Sequence, residues 1–162
     1  MNTFIAAVRS VLTYIVVSLY VLIAGPIGLG IAVPLKLQGM LYWLGHMGVG
    51  LALGLAGIRY RVTGANKVPA GRAVVFCSNH ESNVDPPVLF RALHPRLHVL
   101  FKAELTKLPI LGKVMLAGGF VAVERERREA SMASIDRAAD SIRDGSSFLI
   151  FPEGTRSRTS EL

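Results

Sequence analysis

The chain opens on two long stretches from which charge is almost absent. Between Val11 and Val33 no residue is charged. As a helix rising ~1.5 Å per residue, that stretch covers roughly 34 Å, enough for the hydrocarbon core of a bilayer. Gly25-Pro26 interrupts it and predicts a kink or break. After Pro34 and Lys36, a second apolar stretch runs from Leu37 to Ile58. Tyr42 and Trp43 near its start suit an interfacial anchor. Gly45, Gly48, Gly50, Gly54 and Gly57 suit a helix packed closely against another. The pattern fits two antiparallel membrane helices, two helices dipping into one leaflet, or a buried hairpin of a larger soluble core. A cleaved signal peptide would have a shorter apolar region followed by a small-residue cleavage site. His46 reads as a packed or interfacial residue rather than a ligand.

Beyond Ile58 the period changes. Arg59 to Thr63 alternates and predicts a strand closed by Gly64, and Ala65 to Arg72 a turn. Ala73 to Cys77 is a continuous apolar run of strand length, the pattern of a strand covered on both faces. Asp85-Pro86-Pro87 opens a helix to about Leu93, with an acidic cap and proline in the first turn. Strands follow at Leu97–Phe101, Phe120–Val123 and Ser147–Phe151. Helices are expected at Leu108–Ala117 and Arg127–Arg143, the latter apolar or small at Ala130, Ala133, Ile135, Ala138, Ala139 and Ile142. Strands alternating with helices imply crossovers and an α/β fold with a largely parallel sheet flanked by helices, preceded by the apolar, membrane-associated helical hairpin. The expected division is 1–58 for the hairpin and 59–162 for the α/β domain.

Composition sharpens this division. The 162 residues are 51% hydrophobic and 18% charged, with mean hydropathy +0.45, which excludes a disordered chain and departs from an ordinary soluble domain. Residues 1–58 hold Arg9 and Lys36 as their only basic groups and no acidic ones; the other 16 basic and all 11 acidic residues follow. A basic region after an apolar one favours an anionic membrane surface or an anionic substrate. A nucleic-acid partner is not expected, because no basic stripe alternates with aromatics. Arg9 on one side of the hairpin and Arg59, Arg61 and Lys67 on the other would share a face if both helices crossed, and that face would be cytoplasmic. The single cysteine, Cys77, excludes an internal disulfide and points to a reducing compartment or to indifference to redox.

Reactive groups of a parallel sheet collect at the carboxyl ends of its strands. Three polar clusters stand there: Asn79–Asp85, Gly118–Arg125 and Pro152–Ser157. His80 and Asp85 are five apart, which on a continuous helix would aim them at different faces. Across a loop that turns into a helix start, the carboxylate can reach back and hold the imidazole. The other ring nitrogen is then free to take a proton from a hydroxyl. The alternative is that Asp85 only caps its helix and His80 is an ordinary loop residue. No third ligand stands at a spacing suited to a metal. Ser78 and Ser82 lie in no glycine-flanked elbow, and Cys77 is expected in a buried strand, so a covalent nucleophile is not indicated. In the third cluster Gly154 permits close backbone approach, Thr155 can donate, and Arg156 offers a forked cation for phosphate; the alternative is a surface turn. Glu124 to Arg128 reads equally as a charged helix start. No glycine-rich nucleotide loop is present.

In order along the chain, these residues resemble the glycerolipid acyltransferase family. His80 to Asp85 matches its H-x4-D motif, and Gly119 to Arg125 is similar to its second motif, with Ala122 where an aromatic residue is common and Glu124 where Asp is usual. Phe151 to Ser157 matches the third motif, and Phe101 to Leu105 is similar to the segment between the first two. The resemblance implies transfer of an acyl chain from acyl-CoA or acyl-carrier protein to the free hydroxyl of a lysophosphatidate, giving phosphatidate for phospholipid biosynthesis. It implies His80 as general base, Asp85 as its orienting partner, and a phosphate site of Arg125, Glu153, Gly154, Thr155 and Arg156 supported by Lys102. It implies no cofactor beyond the acyl-carrying co-substrate, membrane lipids as partners, and a place on the cytoplasmic face of the cell membrane. Glycerol 3-phosphate or another lysolipid is an alternative acceptor, and an inactive membrane-docking fragment is an alternative role. Family members continue with a further strand bearing a proline-containing fourth motif. An ending at Leu162 therefore implies a C-terminally incomplete domain with an exposed apolar sheet edge.

Overall fold

The computed structural model describes residues 3–124 and 128–157. It divides into two compact units, Met1–Arg61 and Val62–Leu162. In the first, helix α1 (Thr3–Ile27) passes through Pro26 and continues as a π-helical turn over Gly28–Ala32. Of the kink or break expected at Gly25-Pro26, the break is absent. The helix runs through Pro26, and the irregularity comes directly after it as the π-helical turn. Helix α2 spans Gln38–Ala56. The pair is antiparallel: Gly28 lies against Leu41 and Leu44, the Tyr20 hydroxyl donates to the Leu44 carbonyl at 2.8 Å, and the Tyr20 ring covers Gly48. The Arg9 guanidinium lies against Gly57, the left-handed residue ending α2 at φ 71°. A Cβ at Gly57 would stand 2.6 Å from the guanidinium. The cation sits where the last carbonyls of α2 concentrate partial negative charge.

Both helices, Thr3–Ala32 and Gln38–Ala56, are long and apolar enough to cross a membrane, with mean hydropathy 2.3 and 1.3 over an 18-residue stretch of each. Phe4, Tyr14, Ile23 and Trp43 are among their exposed side chains. Two details of the sequence reading change. Tyr42 is buried, so only Trp43 of the aromatic pair turns outward. Gly54 faces open space, so Gly48 makes a close helix contact and Gly54 does not.

The second unit holds a sheet of β1 (Val75–Cys77), β2 (Leu97–Lys102), β3 (Val121–Val123) and β4 (Ser147–Ile150) in the order β1-β4-β2-β3. Every pairing among them is parallel. Helices α3 (Asp85–Leu93), α4 (Leu111–Ala117) and α5 (Arg128–Arg143) make the three crossovers. The core lies along β2 and β4, where Leu97, Val99, Phe101, Phe148 and Leu149 are buried. Phe148 and Leu149 are consecutive and both fully buried, so β4 is the strand covered on both faces.

The covered strand was expected at 73–77. There β1 pairs with β4 alone and lies at the edge of the sheet, leaving Val75 and Cys77 exposed. An apolar run identifies a strand without saying whether it is central. Residues 59–63 form no strand: Tyr60 and Val62 are both exposed, and alternation without a covered face builds no ladder. Helix α4 begins three residues later than expected, because Ile110 at φ 66° and ψ −61° cannot sit in a helix. On α5, Ser134 and Ala138 are buried while Ile135 points outward. Residue 127, at the expected start of α5, lies outside the described residues.

One histidine reports on this packing. His98 of β2 stacks edge-on against Phe148, ring centroids 5.0 Å apart, and lies against Gly119. Burial pushes its pKa below the ordinary histidine value of 6.5. The folded ring therefore refuses a proton that the unfolded chain accepts, and its contribution to stability is lost as pH falls below that ordinary value. The melting temperature should fall between pH 7 and pH 5, and His98→Leu should flatten that slope. An unchanged slope in the variant would assign it to other groups.

Candidate active site

Strand β1 ends at Cys77, and the Ser78 N–H continues its ladder by donating to the Ile150 carbonyl at 3.2 Å. The chain then turns through Asn79–Val84 into α3. Asp85 is the first residue of α3, with Pro86 and Pro87 behind it in the turn where missing N–H groups cost nothing. Its side chain does not cap its own helix. One oxygen, Oδ2, instead turns back to accept from the Glu81 N–H at 2.8 Å and the Ser82 N–H at 2.7 Å, and stands 3.0 Å from His80 Nδ1. The five-residue spacing thus works as a loop closed on one carboxylate, and the capping alternative falls away.

Burial of Asp85 would raise its carboxyl pKa, but the Ser82 amide, the His80 ring and the Glu81 amide outweigh this and hold it below the ordinary range. Asp85 is therefore ionised at neutral pH. An anion facing Nδ1 selects the tautomer with the proton there, which leaves the lone pair on Nε2. The His80 side chain is 15% exposed and that of Asp85 27%, so the pair sits at the surface of a loop rather than sealed in the core.

Strand β4 lies beside β1, with Cys77 level with Ile150, and brings the third cluster onto the same loop. The His80 N–H donates to Glu153 Oε1 at 3.4 Å, and the His80 carbonyl accepts from the Ser157 N–H at 2.7 Å. The Phe151 ring stacks on the imidazole, centroids 4.3 Å apart and planes inclined by 29°. Between these contacts the chain reverses at Gly154, whose φ of 66° and open Cβ position leave its backbone approachable. Thr155 and Arg156 are exposed. Lys102 ends β2, the strand on the other side of β4, and its Nζ lies 3.1 Å from Glu104 Oε1. Of the residues singled out from sequence, the structure therefore joins His80 with Asp85 and Glu153. Gly154, Thr155 and Arg156 stand in the adjoining turn and Lys102 at the same strand edge. Arg125 lies outside the described residues.

The contact of Phe151 with His80 was not anticipated. In the sequence Phe151 stands as the last residue of an apolar run and the first of the third motif, and the strand order is needed to put that position beside His80. The serine hydroxyls of the loop have local roles: Ser78 donates to the Asn79 carbonyl at 3.0 Å, and Ser82 accepts from the Val84 N–H at 3.2 Å. Among the described residues, no group of three or more His, Cys, Asp or Glu side chains could hold a metal ion.

A family model described as acyltransferase matches residues 59–162. The chain belongs to the acyltransferase family. It is similar to the 1-acyl-sn-glycerol-3-phosphate acyltransferase of Borreliella burgdorferi, with 32% identity over 108 residues, 67% of this chain and 43% of that protein. The enzyme of that name from Pseudomonas aeruginosa is 29% identical over 157 residues, 94% of this chain and 60% of that protein. The chain thus spans about half the length of these relatives. Its fold is also that of the crystal structure of the 1-acyl-sn-glycerophosphate acyltransferase PlsC from Thermotoga maritima. That match has a TM-score of 0.83 at 20% identity and covers 100% of this chain and 66% of that one.

Proposed function

We propose that this chain transfers a fatty acyl group from a thioester, acyl-CoA or acyl-carrier protein, to the free hydroxyl of 1-acyl-sn-glycerol 3-phosphate, forming phosphatidate. The observation that carries this reading is the ionised Asp85 on His80 Nδ1, which leaves Nε2 as an acceptor at a strand edge. The names of the relatives supply the substrates. In the step, Nε2 takes the proton of the acceptor hydroxyl as its oxygen bonds to the thioester carbon. The carbon–sulfur bond then breaks, and the departing thiolate takes the proton from the imidazolium. No acyl-enzyme is required.

The acceptor's phosphate would be held by Arg156, the Thr155 hydroxyl and the open backbone at Gly154, with Lys102 and Arg125 supplying further positive charge. Membrane attachment through the hairpin is supported by its apolar exterior. Lys36 stands alone at one end of the hairpin, while Arg9 lies against Gly57 and so shares the other end with Arg59 and Arg61, which follow Gly57. By the positive-inside tendency that end faces the cytoplasm.

The chain purified in detergent, given labelled acyl-CoA and lysophosphatidate, should form phosphatidate; a folded chain that forms none contradicts the reading. Arg156→Ala should raise the acceptor KM by roughly ten- to a hundredfold, as for loss of a charge-assisted hydrogen bond of about 1.5–3 kcal/mol. An unchanged acceptor KM would remove Arg156 from the phosphate site.

A further inference from the structure

We propose that Phe151 is a positioning residue for His80, so that the turn after β4 steadies the base as well as receiving the anion. This rests on the reading of His80 as the proton acceptor. A single contact at Nδ1 fixes one ring atom and leaves the imidazole free to swing about it, carrying Nε2 out of line with a hydroxyl. A flat partner on the ring face removes that freedom. Phe151 provides one, its ring centroid 4.3 Å from that of His80 with the planes 29° apart. The main chain is held from the same turn. The His80 N–H meets the Glu153 carboxylate and its carbonyl meets the Ser157 N–H, so ring and backbone are clamped between Asp85 and the segment 151–157. The π face of Phe151 is also the negative end of its quadrupole, which favours the imidazolium formed when Nε2 takes the proton. Phe151 thus acts on a state reached during turnover and not on acceptor binding.

The test compares Phe151→Leu and Phe151→Tyr with the unaltered chain in detergent, by kinetics and by proton NMR of the histidine rings. Phe151→Leu should lower kcat about three- to tenfold with the acceptor KM unchanged, the scale of an aromatic contact beyond its buried area. Phe151→Tyr, which keeps the ring, should restore kcat. In the unaltered chain the His80 ring protons should show cross-relaxation with Phe151 and be shifted upfield by its ring current, and the shift should vanish in Phe151→Leu. If the leucine variant does not fold, the cross-relaxation and the tyrosine variant still decide. Absent cross-relaxation, a tyrosine variant as slow as the leucine one, or a loss carried by KM would overturn the proposal. Activity surviving in His80→Ala would instead overturn the general-base reading, whatever Phe151 does.

Discussion

Replacing His80 by alanine should reduce kcat by about 10²–10⁴-fold, the usual contribution of a positioned general base, with the acceptor KM changed little. The expectation follows from where the ring stands. Nδ1 is committed to the Asp85 carboxylate at 3.0 Å, and the main-chain N–H and carbonyl are committed to the segment after β4. What remains to meet substrate is Nε2. Because the phosphate contacts are assigned to other residues, binding should survive the loss of the ring. Thermal unfolding of the variant should stay cooperative, since the ring contributes nothing to the buried core along β2 and β4. A variant keeping most of the rate would show that another group takes the proton.

Asp85→Asn should cost about a hundredfold or more in kcat, for a different reason. The Asp85 oxygen gathers three donors: two amides of the preceding loop and the imidazole. An amide side chain keeps the shape and loses the charge that selects the Nδ1–H tautomer. The variant should therefore lose rate and loop order together, and its melting temperature should drop at neutral pH. The sign of the pH effect is also set. The carboxyl is held below its ordinary value, so its contribution is intact at neutral pH and is lost as pH falls through the folded-state value. This acid loss lies below the window in which His98 acts, and Asp85→Asn should remove it while leaving the His98 slope in place.

The juxtaposition of the candidate site's residues was legible in the sequence because it lies in short spacings. His80 and Asp85 are separated by one loop, and the turn holding Glu153 to Arg156 directly follows an apolar strand, so strand-end logic alone brings both to one edge. The layers were less legible. Both 73–77 and 147–151 are apolar runs, yet β4 takes the centre and β1 the edge, and only the pairing of β4 with both β1 and β2 decides between them. Arg59 to Thr63 alternates like a strand but has no covered face. Ile135 fits the helical period of α5, yet it lies one position beyond the buried stripe set by Ser134 and Ala138. Pro26 signals a kink or break, yet α1 runs through it before the π turn begins. In each case the local signal was present and tertiary context decided its meaning. Phe151 is the extreme: its residue type is compatible with either core or site, and its role appears only once β1 and β4 are neighbours.

In the proposed mechanism the Asp85 carboxylate keeps the proton on His80 Nδ1 and leaves Nε2 to meet the acceptor hydroxyl. Nitrogen-15 NMR of histidine-labelled chain in mildly alkaline buffer reads the tautomer, with the His80 signals assigned by their loss in His80→Ala. A protonated-type Nδ1 and a lone-pair-type Nε2, reversed or mixed in Asp85→Asn, is the expected result. A His80 ring carrying its proton on Nε2 in the unaltered chain would show that Asp85 does not set the tautomer and that Nε2 is not the base.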